Sequence, residues 1–105
     1  MGRAESVAAY LRSRAHWRLD RVEPEDGGRN ARGALALLDA AAYVAGLAED
    51  DPALVALARV GAFGLDGQGD FDPVDESSRR LIDSWTSGDP AELLAALARP
   101  ETISL

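Results

Sequence analysis

Apolar positions recur at helical spacing over five stretches of the chain, and nowhere does the alternation of a strand persist beyond a few residues. The most apolar stretch, about residues 31–48, reads ARGALALLDAAAYVAGLA and is charged only at Arg32 and Asp39. On a helical wheel Leu37, Ala40, Val44 and Leu47 share one side, while Leu35, Leu38, Ala42 and Ala45 occupy the other. A helix apolar over most of its circumference needs neighbours on several sides, so this one is predicted to be the buried centre. A narrow polar line through Arg32, Asp39 and the Tyr43 hydroxyl is expected to face solvent or one partner helix.

The stretch before it predicts a helix over about 4–22, ended by Pro24, which disfavours helical backbone at Glu23. Val7, Leu11, Ala15, Leu19 and Val22 form its apolar stripe; Tyr10 and Trp17 flank the stripe, and Ser13, His16 and Asp20 face away. Arg14, Arg18 and Arg21 fall between the aromatic flank and the aliphatic stripe, an unexpected place for three cations. The connection PEDGGRN is a polar turn, short enough to make the first two helices antiparallel neighbours, with Asn30 as the expected N-cap of the second.

Three Asp-Pro pairs, Asp51-Pro52, Asp72-Pro73 and Asp89-Pro90, then read as helix starts. The aspartate can accept first-turn N–H groups, and proline at the first helical position forfeits no intrahelical bond. They open helices over about 52–63, 73–87 and 90–99, with Glu92 suggesting a capping box at the last. The third helix should be largely buried. The fourth has a stripe of Val74, Ser78, Leu81 and Trp85 with Ile82 beside it, and an outer face pairing Arg79 with Asp83 and Glu76 with Arg80. Gly88 is expected to end it, and Pro100 the fifth, after which Ile103 and Leu105 dock the tail or fray. The expected fold is all-α: a compact five-helix, bundle-like single domain spanning residues 1–105.

Composition narrows the chemistry. A chain of 105 residues can bury about two-thirds of its unfolded surface without staples. The absence of cysteine excludes disulfides and thiolate chemistry and fits a reducing compartment. No apolar run suits a signal peptide or a membrane span, so the protein is expected to be soluble and cytoplasmic, with no membrane partner. Net charge is −7, but residues 1–32 hold seven arginines against five acids and residues 33–105 hold four against thirteen. The acidic bulk disfavours non-specific nucleic-acid binding.

Candidate sites are few. Asp66, Asp70, Asp72, Asp75 and Glu76 invite a cation reading, yet an EF-hand register from Asp66 places Phe71 where glycine belongs and Ser77 where the bidentate glutamate belongs. They read instead as a solvated loop, with Asp72 as the cap of helix four and Asp75 and Glu76 favouring its positive end. His16 stands alone, with no second histidine or cysteine, so no metal is expected. No serine lies in a nucleophile elbow, no lysine exists to activate one, and no phosphate-binding glycine loop occurs, so no catalytic residues and no cofactor are assigned. Helix three, as a DNA-reading helix, offers one arginine and almost no hydrogen-bonding side chains; helix four opens on acids that phosphates would repel.

For the arginine line the commonest arrangement has stems covering apolar surface while the heads reach water or acids on a neighbouring helix. The functional alternative makes Tyr10, Arg14, Trp17, Arg18 and Arg21 a contact surface, since these residue types concentrate at interface hot spots. On that ground the expected function is a non-catalytic protein–protein interaction or regulatory adaptor, its partner another protein or a second copy in a homodimer. The alternatives are a small-ligand-binding helical domain and a nucleic-acid-binding regulator using the helix-one arginines.

Overall fold

A computed structural model describes residues 2–99. Five α-helices account for the regular structure among them: α1 (Arg3–Leu19), α2 (Arg29–Ala45), α3 (Pro52–Arg59), α4 (Glu76–Ser84) and α5 (Pro90–Leu97). The expected docking of Ile103 and Leu105, and the stop at Pro100, lie outside the described residues.

α1 and α2 form an antiparallel hairpin through a single 3-10 turn, Pro24–Asp26. α2 also packs on α4 and α5, α1 on α4, and α3 on α5. With α4 also against α5, the helices α2, α4 and α5 each meet three others, and the α1–α2 pairing is the most extensive. The core they enclose is aliphatic with two phenylalanines; Val7, Leu11, Leu37, Leu54, Phe63 and Leu93 are all fully buried. No described helix is long and apolar enough to cross a membrane.

Several boundaries differ from expectation, each for a tertiary reason. Asn30 is not the N-cap of α2. Gly27 and Gly28, at φ +66° and +79°, turn the chain tightly enough to start the helix earlier, with Gly28 at the cap. The Asn30 amide is recruited elsewhere: its Nδ2 donates to the Arg21 carbonyl at 2.8 Å and its Oδ1 accepts from Arg18 Nε at 3.3 Å. Asp72-Pro73 does not open α4. The Phe71 N–H donates to Ser6 Oγ at 2.7 Å and the Asp72 N–H to the Ala62 carbonyl at 2.9 Å, holding that segment extended across α1. The helix starts later, where Asp75 accepts from the Ser78 N–H at 2.8 Å. Asp51 and Asp89 cap as expected, each accepting from the residue two positions on, so the Asp89 bond goes to Ala91 and not to Glu92. Gly88 does not end α4, which stops at Ser84 with Trp85 as its cap.

The α1 stripe also drifts. Buried positions run Ala4, Val7, Ala8, Leu11, Ala15 and Arg18, leaving Leu19 and Val22 exposed where aliphatic burial was expected. On α2 the side bearing Leu35, Ala42 and Ala45 has no helix over it, and α3 fully buries only Leu54 and Leu57.

Candidate functional site

The three arginines in the apolar sector of α1 have three different fates. Arg18 is 2% exposed and therefore belongs to the interior, not to the contact surface expected of it. Its Nη1 donates to the Trp85 carbonyl at 2.7 Å, its Nη2 to the Arg29 carbonyl at 3.2 Å and its Nε to Asn30 Oδ1. One planar guanidinium thus ties the end of α1 to the start of α2 and the cap of α4, a fork that only arginine supplies. Burial first, and then the Arg29 charge, pulls its pKa below the usual arginine value. It still carries its charge at neutral pH. Gly33 makes the burial possible, because a Cβ there would overlap the Arg18 guanidinium.

Arg14 is half-buried and forks onto Asp83 of α4, with Nε–Oδ1 at 2.7 Å and Nη2–Oδ2 at 2.9 Å. Asp83 is thereby taken from the expected Arg79 pairing, and Arg79 lies 3.6 Å from Asp72 instead. Arg21 is exposed and its Nη1 donates to the Trp17 carbonyl at 3.2 Å. Spacings of three and four residues put Arg14, Trp17 and Arg21 on one helical face. The guanidinium carbons of Arg14 and Arg21 stand 4.4 and 4.0 Å from the Trp17 ring centroid, so cations hold the half-buried indole from two positions.

Tyr10 sits apart from this cluster. Its ring meets Phe71 edge-on at 5.2 Å, and Phe71 meets Phe63 at 5.9 Å, so it anchors the loop between α3 and α4. Burial pushes its phenol above the ordinary tyrosine pKa. The surface that remains accessible near the end of α1 includes Trp17, Arg21 and the exposed Leu19 and Val22, at 45% and 48%, beside the exposed His16 and Asp20. Leu19 and Val22 escaped the sequence reading because the wheel assigned them to the core; the drift of the stripe onto Arg18 is what turns them outward.

The acidic loop has structural occupations. Asp66 accepts from the Gln68 N–H at 2.9 Å, Asp75 caps α4, and Glu76 lies 3.9 Å from Arg80. No three potential metal ligands converge among the described residues. The loop is fastened to α1 by Arg3, whose Nε and Nη2 donate to the Gly67 carbonyl at 3.2 and 3.1 Å. The start of α1 is capped from a distance: Glu49, just beyond α2, accepts from the N–H groups of Arg3 at 2.6 Å and Ala4 at 3.1 Å.

Comparison with protein-family models, curated proteins and solved structures gives no match.

Proposed function

We propose that this protein is a non-catalytic protein–protein interaction or regulatory adaptor of the cytoplasm, and that its contact surface is the carboxyl-terminal end of α1. The observation that carries the reading is Trp17, half-exposed and held by Arg14 and Arg21, with exposed Leu19 and Val22 close by in sequence. An aromatic anchor ordered before binding loses little freedom on docking, and tryptophan and arginine are the types that carry interface energy. Arg14 orders the anchor because Asp83 orders Arg14. A protein partner is favoured over a nucleic acid because Arg18 is spent inside the fold and Arg14 is neutralised by Asp83, leaving Arg21, itself stacked on Trp17, as the exposed cation of the three. The cytoplasmic placement rests on the cysteine-free composition.

The test is affinity capture with the full chain, its Trp17→Ala variant and its Arg21→Glu variant, each checked for an unchanged melting temperature. A partner retained by the wild type and released by both variants supports the surface. A partner held equally by all three removes it.

A further inference from the structure

We propose that two copies of this chain pair through the outer face of α2, antiparallel about a two-fold axis passing between Leu35 and Ala36. The inference is independent of the α1 surface. Leu35 is 62% exposed in the middle of a helix, and Tyr43, two turns further on, is 41% exposed. Arg32, Leu35, Ala36 and Asp39 border one shallow groove of about 360 Å³, closed on its far side by Ser87 and Pro90.

Charge selects the occupant. Among the described residues Asp39 makes no hydrogen bond or ion pair, and Arg32 has no carboxylate partner, its Nη1 donating only to the Gly27 carbonyl at 2.8 Å. The two lie seven positions apart on one face, about 10.5 Å along the axis, too far to satisfy each other. In an antiparallel pair related by a two-fold axis, facing positions have a constant sum. The axis that sets Arg32 against Asp39 of the second copy also sets Asp39 against its Arg32, and it sets Leu35 against the small Ala36. The same register brings Tyr43 toward Gly28, where the phenol would meet the Arg32 guanidinium that lies over that glycine. One choice of axis therefore gives both charges an opposite partner and lays Leu35 on a small side chain, as an isologous interface demands. A helix-on-helix contact of this length falls short of the about 800 Å² per partner of a standard interface, so the dimer should be weak and reversible.

Sedimentation of the full chain across a concentration series tests the pairing, using Leu35→Glu, Arg32→Asp and Asp39→Arg. All three positions are exposed or open to the groove, and melting curves confirm that each variant folds. The wild type should dimerise, and each variant should weaken the dimer by about tenfold or more. The decisive sample is an equimolar mixture of the Arg32→Asp and Asp39→Arg proteins. In the mixed dimer both cross-interface pairs are again acid against base, so association should return. A wild type monomeric at several hundred micromolar, a dimer indifferent to these changes, or a mixture no more associated than its components overturns the proposal. Trp17→Ala should leave the dimer intact, which separates this result from failure of the α1 surface.

Discussion

α1 and α2 are both 17 residues long and lie side by side, yet they use their side chains in opposite ways. α1 is the more polar helix, and four of its polar residues turn inward: Arg3 and Ser6 grip the α3–α4 loop, Arg14 grips α4, and Arg18 grips the start of α2. α2 is the more apolar, and it leaves Leu35 and Tyr43 in solvent. The contrast shows that hydrophobicity alone does not decide which face of a helix is buried. α1 sits where three backbone segments end, and each supplies carbonyl or amide groups that must find partners. Long side chains with directed donors serve that position better than leucine. α2 meets its neighbours mainly through Leu37, Ala40, Ala41 and Val44, a stripe that needs only half its circumference.

The contrast breaks most severely at Arg18. Replacing it with alanine leaves the Trp85 and Arg29 carbonyls without this donor and opens a cavity among three elements, which should cost about 3–5 kcal/mol by chemical denaturation. Arg18→Lys should recover only a minor part, since an ammonium cannot reproduce the fork. Next in size is Glu49. Glu49→Ala should lower stability by about 0.5–2 kcal/mol, the usual worth of an N-cap, although the cap lies 46 positions from the helix it serves.

The smallest effect concerns the start of α2. The Asp26 carboxylate is held below the ordinary aspartate pKa chiefly by the Glu23 N–H, with further help from the Gly28 N–H at 2.7 Å. A carboxyl depressed in the folded state stabilises it above the unfolded value of about 3.9, and that contribution disappears as pH falls through the folded value. Asp26→Asn should therefore lower stability most at neutral pH, where the ionised carboxylate contributes in full, and converge on the wild type as pH falls below about 4, which flattens the acid limb. An acid limb identical to that of the wild type would remove Asp26 from the account.

The helices themselves were legible because they follow local rules. Period, Asp51 and Asp89 are read within a few residues, and the structure places α3 and α5 where those caps put them. What escaped reading depends on residues distant in sequence. Asp72 resembles Asp51 as a cap, but Ser6 and Ala62 claim the adjoining N–H groups. Glu49 carries no local mark of its service to α1. Arg18 and Leu19 are neighbours in sequence that point about 100° apart on the helix, and the room Gly33 leaves for the guanidinium, far off in sequence, admits Arg18 to the interior. Burying Arg18 removes it from the candidate site, and the separate packing of Tyr10 on Phe71 removes the tyrosine, while Leu19 is exposed.

The most direct test of the inward-turned arginine is Gly33→Ala measured in two backgrounds. In an ordinary helix interior that change stabilises by about 1 kcal/mol. Here the added methyl meets the Arg18 guanidinium, so the wild-type background should lose about 1–3 kcal/mol. In the Arg18→Ala background the same methyl enters vacated space and the change should become stabilising, a coupling that a double-mutant cycle reads directly. A Gly33→Ala effect of the same sign and size in both backgrounds would contradict the burial of Arg18 against Gly33.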